Sequence, residues 1–223
     1  MEQLVLDLAP FSAQTFANFI PGRNTEALRA LIEVCAGRTK SLIYLWGVKG
    51  AGKSHLLNAA VSEVLGCGGA ARHFEGGCFY DLSRCDLAVA DAAETLDEDA
   101  QSALFSVYND RRDSGLPLLI AGSMPPAQMR LRADLRSRLA WGLVFEVHVL
   151  SDEEKAAALE SRALTRGFRV SREVVQYLLS REQRDLPTLF ATLDALDRYS
   201  LQTRRAITVA TLRELLRQAL SRE

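Results

Sequence analysis

Residues 47–54 constrain the fold of this chain more than any other segment. They read GVKGAGKS and fit the pattern G-x-x-x-x-G-K-[S/T] of a phosphate-binding loop. The apolar run 41–46 before them predicts a buried strand, and a helix is predicted after them to about Leu65, with Gly66 just past its end. Glycines let backbone N–H groups turn toward phosphate oxygens, and a helix N-terminus adds its positive dipole end. The segment therefore predicts a site for a nucleoside di- or triphosphate.

Individual side chains in and near this loop have separate predicted tasks. Lys53 is expected to reach the outer phosphates, and the Ser54 hydroxyl is expected to hold Mg²⁺. Asp91 ends the apolar run 87–91, which we expect to form the strand beside the phosphate-binding loop, where a carboxylate binds Mg²⁺ through water. The loop residues predicted to bind the nucleotide are Gly47, Gly50, Ala51, Gly52, Lys53 and Ser54.

Composition excludes several classes of protein. Of the 223 residues 48% are hydrophobic, which is enough for one α/β domain and a smaller second one, and the formal net charge of −1 does not favour direct sequence-specific DNA binding. No apolar run has the length of a membrane span, and the N-terminus has no signal sequence, so the chain is expected to be cytoplasmic. The cysteines lack paired C-x-x-C spacing, which favours reduced thiols over a zinc site with His73. They are Cys35, Cys67, Cys78 and Cys85.

Strand and helix patterns alternate in the first two thirds of the chain, which predicts an α/β fold with a parallel five-stranded sheet covered on both faces. The predicted strands lie at residues 41–46, 72–74, 87–91, 117–123 and 143–147. From Ser151 the pattern is helical only, beginning with a capping box of Ser151 and Glu154, and Pro187 is expected at the first position of a later helix. The predicted domains are residues 11–150 and a small all-helical domain, 151–223.

The residues around the expected γ-phosphate bear on catalysis. Many ATPases carry a second acid directly after the strand-end aspartate to orient water, but here Ala92 follows and the nearest acid is Glu94, which predicts weak intrinsic hydrolysis. Ser123 ends the next strand and is a candidate γ-phosphate contact, although a turn residue is the alternative.

Two arginines, Arg136 and Arg138, precede the last predicted strand. An arginine aimed at the γ-phosphate of a neighbouring molecule stabilises transition-state charge and raises hydrolysis rates by as much as about 10³–10⁵. The alternative is that both belong to an ordinary solvated helix face.

The order of these parts resembles an AAA+ module followed by a helical lid. Stretches 16–24, 44–46 with 50–57, and 137–142 resemble the bacterial replication initiator DnaA and its shorter relative Hda, and the lid stretch 188–197 is most similar to Hda. The resemblance covers essentially the whole chain. It implies that residues 16–24 line the base pocket, with Phe19, Pro21 and His55 among the nucleotide-binding residues, and that the bound nucleotide is ADP. It also implies that Arg138 is an arginine finger acting in trans.

The two ends of the chain favour a regulator over an initiator. Initiators of this family continue into a helix-turn-helix DNA-binding domain, and no residues remain for one here. Residues 1–10 hold a segment that resembles the peptide by which bacterial proteins dock on the β sliding clamp of DNA polymerase III; an edge strand or a tail is the alternative. Its expected contact residues are Gln3, Leu4, Leu6 and Leu8.

These features lead to a hypothesis of a negative regulator of replication initiation that docks on the clamp and promotes hydrolysis of ATP bound to DnaA. A homodimer is also allowed. The alternatives are an autonomous AAA+ ATPase, such as a helicase loader or clamp-loader-like subunit, and a small-molecule P-loop kinase. One residue departs from the family pattern, because Pro187 stands where the family carries a lid arginine; Arg184 lies one turn earlier.

Overall fold

The computed structural model describes residues 14–74, 85–180 and 185–220. The chain divides into two compact units, of which one is Ala13–Val149 and the other contains Leu150–Glu223. The first unit is an α/β structure and the second is helical.

The α/β unit is built on a parallel sheet, as predicted. Its strands are β1 (Leu42–Trp46), β2 (Ala71–Phe74), β3 (Leu87–Ala90), β4 (Leu118–Gly122) and β5 (Leu143–Glu146). They lie in the order β2-β3-β4-β1-β5, and every neighbouring pair is parallel. Strand β4 separates β3 from β1, yet Asp91, directly after β3, still lies beside the phosphate-binding loop, as predicted. Sequence alone could not order them, since β3 and β4 are both wholly buried apolar strands.

Helices cover both faces of this sheet. They are α1 (Thr25–Cys35), α2 (Lys53–Gly66), α3 (Glu98–Ser114) and α4 (Ala133–Leu139). Alternate residues of β1 point to opposite faces: Ile43 and Leu45 pack in one core with α1 and α2, and Tyr44 packs in the other with α3 and α4. The inner strands β1, β3 and β4 thus contribute residues to both cores.

Helix α2 ends one residue later than predicted, and the glycine just past its end is Gly68 instead of Gly66. The helix continues through Gly66, and Gly68 takes the left-handed conformation with φ of 81°. Its N–H donates to the Leu65 carbonyl at 3.0 Å, and the next N–H donates to the Val64 carbonyl at 2.9 Å. This pattern is a Schellman motif. The sequence GCGG offers several glycines for the turn, so the pattern alone did not single out one of them.

A buried arginine joins the amino ends of β3 and β4. Arg111, at the end of α3, is 2% exposed and donates to the carbonyls of Cys85, Asp86 and Pro117 at 2.7, 3.0 and 2.8 Å. These carbonyls lie just before the two strands, and of the three the Pro117 carbonyl also accepts from the Ala88 N–H at 3.4 Å. Arg111 therefore stabilises the amino ends of β3 and β4, at the end of the sheet opposite the phosphate-binding loop.

The helical unit consists of α5 (Asp152–Thr165), α6 (Arg172–Leu179), α7 (Leu186–Thr203) and α8 (Val209–Leu220). The predicted capping box is present, because Ser151 accepts from the Glu154 N–H and Glu154 accepts from the Ser151 N–H. Pro187 stands at the second position of α7 instead of the first, since Asp185 is the cap and accepts from the Thr188 N–H at 2.9 Å.

A single apolar core holds the four helices of this unit, with Leu159, Val174, Leu193 and Leu212 completely buried. No helix in the described part of the chain is both long and apolar enough to cross a membrane.

Candidate functional site

The phosphate-binding loop lies between the end of β1 and the start of α2. Gly52 is the cap of α2 and has φ of 102°, a conformation that a residue with a Cβ rarely adopts. A Cβ on Gly52 would also lie 3.0 Å from the Phe19 ring. Lys53 Nζ donates to the carbonyls of Gly47 and Val48 at 2.7 and 3.1 Å, so the ammonium group lies at the mouth of the loop. The loop thus has the cation and the free helix N-terminus that phosphate binding requires.

Ser54 and Asp91 meet at the edge of this loop. The Ser54 hydroxyl donates to Asp91 Oδ2 at 2.5 Å, and Asp91 Oδ1 accepts from the Ala92 N–H at 2.8 Å. The sequence pattern placed both near Mg²⁺, and the structure brings them together although β3 is not adjacent to β1. A hydroxyl and a carboxylate are hard oxygen donors of the kind Mg²⁺ prefers, so this pair fits a nucleotide-bound Mg²⁺.

The segment before α1 packs against α2 beside the phosphate-binding loop. The Phe19 ring lies 5.4 Å from the His55 ring at an interplanar angle of 56°, and His55 Nε2 is 3.0 Å from the Thr15 carbonyl. Short 3₁₀ turns at Phe16–Asn18 and Gly22–Asn24 shape this segment, and Pro21 lies between them. Phe19 and His55 thus lie together beside the loop, and Pro21 follows Phe19 in the same segment.

Asn24 anchors the same segment to the chain just after the edge strand β5. Its Nδ2 donates to the His148 carbonyl at 2.9 Å, and its Oδ1 accepts from the His148 N–H at 2.7 Å. Asn24 is 3% exposed, so both bonds are shielded from water. Asn24 belongs to the predicted base-pocket stretch but had no predicted role, because its pairing with a residue 124 positions later carries no local signal.

The turn after β4 is held from two sides. The Ser123 N–H donates to Glu94 Oε2 at 3.1 Å, and the Tyr44 hydroxyl donates to the Met124 carbonyl at 2.9 Å. Burial, followed by the charge of Glu94, raises the pKa of Tyr44, so its hydroxyl stays protonated and remains a donor. Ala92 has φ of 50°, and the 3₁₀ turn after it carries Glu94 to this position. An acid is therefore present beside Ser123, although it does not directly follow Asp91.

Arg138 lies near the end of α4 and is partly exposed. Its guanidinium carbon is 4.3 Å from the centroid of the Trp141 ring and 5.9 Å from that of Phe105. Within residues 14–74, 85–180 and 185–220 no carboxylate forms an ion pair with it. Arg138 thus presents an uncompensated positive charge on an aromatic support.

The predicted clamp-binding residues, the cysteines and Arg184 form no ligand site within the described residues. Gln3, Leu4, Leu6, Leu8, Cys78 and Arg184 lie outside them. Burial raises the pKa of the Cys35 thiol to about 12, and its Sγ faces the Ala60 carbonyl at 3.8 Å. In the part of the chain that is described, no three His, Cys, Asp or Glu side chains converge in a way that could hold a metal ion.

A five-stranded parallel sheet with the phosphate-binding loop after β1, the Ser54–Asp91 pair, and a separate four-helix unit define an AAA+ nucleotide-binding protein. Comparison with known proteins agrees. The chain superposes on domain III of the replication initiation protein DnaA from Thermotoga maritima with a TM-score of 0.73 and 19% identity, over 94% of this chain and 98% of that one.

Two further structures share the fold. AMPPCP-bound DnaA from Aquifex aeolicus aligns with a TM-score of 0.72 and 20% identity, covering 88% of this chain and 68% of that one. The Thermotoga maritima RuvB Holliday junction branch migration motor aligns with a TM-score of 0.65 and 16% identity, covering 94% of this chain and 72% of that one. Residues 152–216 match the family model of the Hda lid domain. The helical unit is thus similar to the Hda lid, in a chain that has the fold of DnaA domain III.

Proposed function

We propose that this chain is a DnaA-related negative regulator of replication initiation that supplies Arg138 to ATP bound by the initiator DnaA. The observation that carries the proposal is the uncompensated Arg138 guanidinium at the end of α4, in a chain with a DnaA-like fold and an Hda lid. The chain itself holds ADP or ATP with Mg²⁺ on its own loop through Lys53, Ser54 and Asp91.

The charge of Arg138 determines what the residue does in this reaction. As water attacks the γ-phosphorus of the partner's ATP, negative charge accumulates on the transferred and leaving oxygens. A guanidinium donates in a planar fork that matches two such oxygens, and it stays charged at any physiological pH. Arg138 therefore lowers the barrier of the partner's reaction, while the partner supplies the ATP and the groups that orient water.

The direct test is hydrolysis of radiolabelled ATP by ATP-loaded DnaA, with this protein and DNA-loaded β clamp added. We expect Arg138→Ala to abolish the stimulation, because an arginine in this role contributes as much as about 10³–10⁵ in rate. Arg138→Lys keeps the charge but not the planar fork, and we expect it to restore only a small part.

Arg136→Ala is the matched control, since it removes an arginine two residues earlier on the same helix. We expect it to stimulate as well as the unchanged protein. Both variants should bind ADP normally. Full stimulation by Arg138→Ala would exclude the proposed role of this residue.

Docking on the clamp is the second part of the proposal, and it depends on the N-terminal segment. An extended peptide with Gln3 at the rim of a pocket and Leu6 and Leu8 inside it explains the alternation of polar and apolar residues there. In the same assay we expect a Gln3→Ala, Leu6→Ala variant to stimulate no better with clamp than without it. Equal stimulation by this variant and the unchanged protein, with clamp, would leave the segment without this role.

An autonomous ATPase is the second candidate, and the position of Glu94 favours it. Its carboxylate accepts from the Ser123 N–H at 3.1 Å at the end of the sheet where the γ-phosphate is expected. If this chain hydrolyses ATP in the absence of DnaA, and Glu94→Gln stops that hydrolysis, the function of an autonomous ATPase is preferred. Turnover that requires DnaA supports the regulator instead.

A further inference from the structure

The Arg138 guanidinium packs on aromatic rings. An arginine on a surface helix more often contacts a carboxylate or water. The guanidinium carbon lies 4.3 Å from the Trp141 ring centroid, within the range of a cation–π interaction, and the longer distance to Phe105 is 5.9 Å. Trp141 is 65% exposed, an unusual position for the largest apolar side chain on a protein surface. The Trp141 ring therefore contributes little to the packing of the core.

The backbone fixes the contact between the two side chains. The Trp141 N–H donates to the Arg138 carbonyl at 3.1 Å, which closes a turn directly after α4 and brings the two side chains to the same side. The next residue, Gly142, lies so close to β1 that a Cβ on it would be 2.3 Å from the Leu42 carbonyl. The turn is thus held by a hydrogen bond at one end and by the sheet at the other.

A free arginine side chain populates many rotamers, and an arginine that must meet a phosphate in another molecule loses that freedom on binding. A stacked ring restrains the guanidinium before the encounter without neutralising its charge, whereas a carboxylate would restrain it and neutralise it. Preorganisation of this kind raises the rate of the chemical step.

We propose that Trp141 is a positioning residue that holds the Arg138 guanidinium for an anionic group, the γ-phosphate of a nucleotide bound by a partner protein. Phe105 on α3 supports the same guanidinium from a greater distance. This inference rests on the proposed function, because Arg138 must act on a partner's nucleotide for its orientation to matter.

The experiment compares Trp141→Leu, which keeps apolar bulk without an aromatic face, with Trp141→Phe, which keeps a face. The first measurement is the NMR shift of the Arg138 side-chain NεH group, assigned by its loss in Arg138→Ala. Protons above an aromatic face are shielded, so we expect an upfield shift in the unchanged protein, a smaller one in Trp141→Phe, and none in Trp141→Leu.

The second measurement is the stimulated ATPase rate of DnaA as a function of the concentration of this protein. For Trp141→Leu we expect the plateau rate to fall by about tenfold, which corresponds to about 1.4 kcal/mol, with an unchanged half-maximal concentration. Trp141→Phe should retain most of the plateau. Leu143→Ala removes a neighbouring apolar side chain that is 43% exposed and is the control for loss of surface area.

The outcomes separate the two proposals. An unshifted Arg138 resonance in the unchanged protein would overturn the positioning inference. A Trp141→Leu variant with a normal plateau rate and a raised half-maximal concentration would overturn it too, because that result means that Trp141 contributes to binding DnaA and not to catalysis. A shifted resonance that Trp141→Leu abolishes, in a protein that never stimulates DnaA, would overturn the proposed function and leave the contact of Trp141 with Arg138 established.

Discussion

At Asn24 one side chain joins two distant parts of the α/β unit. Its amide makes both of its hydrogen bonds to the backbone of His148, just after β5, and it is nearly completely buried. Because the side chain is used in this way it does not cap α1, which begins at the next residue without a side-chain cap. The amide therefore helps to hold the segment 16–24 in position, together with the contacts of Phe19 and Thr15 with His55.

Asn24→Asp is the variant that tests this role with the least change in shape. The carboxylate keeps the acceptor for the His148 N–H but faces the His148 carbonyl without a donor, which costs about 1–3 kcal/mol or more for a buried charge. Because Phe19 and Pro21 belong to the same segment, we expect the dissociation constant for ADP, measured by calorimetry, to rise by about tenfold.

Glu26→Gln is the control for this variant, since it changes the charge of an exposed residue in the first turn of α1. We expect it to bind ADP normally. An Asn24→Asp protein with unchanged ADP affinity would show that the segment is positioned by other contacts.

At the scale of elements, the connection from α4 to β5 leaves no room for a side chain at Gly142. A Cβ at Gly142 would lie 2.3 Å from the Leu42 carbonyl, and the neighbouring atom is backbone in β1 and cannot move aside. We expect Gly142→Ala to lower the free energy of unfolding of the α/β unit by about 1–3 kcal/mol, the usual range for overpacking.

Urea unfolding followed by tryptophan fluorescence measures this effect, because both tryptophans, Trp46 and Trp141, lie in the α/β unit. Gly66→Ala is the matched comparison. Gly66 is helical with nothing within 4 Å of a built Cβ, so the added methyl should stabilise by about 0.5–1 kcal/mol. Equal changes in the free energy of unfolding in the two variants would show that the close approach of Gly142 to Leu42 does not destabilise Gly142→Ala.

Sequence patterns were sufficient for the elements whose signals are local. The phosphate-binding loop between β1 and α2 and the capping box at Ser151 each depend on residues a few positions apart, and the structure has both. The separate all-helical pattern after Ser151 was equally readable. The α/β AAA+ fold with a helical lid followed from these elements in order.

The features that sequence did not predict depend on contacts between distant residues. Helix α1 starts at a 3₁₀ turn without a capping side chain, so it carries no start signal. The insertion of β4 between β3 and β1, the Glu94 bond to Ser123, and the stacking of Arg138 on Phe105 all depend on tertiary packing. Sequence could name Glu94 and Arg138 as candidates, but it could not state what each one touches.

At the scale of the whole molecule, the two units have separate hydrophobic cores. The lid core is formed within α5 to α8, and an ion-pair cluster joins α5 to α7. Arg162 binds Asp194 through two hydrogen bonds of 3.0 and 2.6 Å and stacks on Phe190 at 4.7 Å. Such a partly buried bidentate pair orients the helices, but a single core of this size supplies only about 3–5 kcal/mol of stability.

Leu193→Ala therefore tests whether the lid is an independent folding unit. Leu193 is completely buried in the lid core, and its truncation costs about 2–5 kcal/mol, as much as such a core supplies. In hydrogen exchange measured by mass spectrometry, we expect peptides from α5 to α8 to lose protection while peptides from β1 and β4 keep theirs. Leu119→Ala, at a fully buried position of β4, should give the opposite distribution. Loss of protection throughout the chain in both variants would mean that the two units unfold as one cooperative unit.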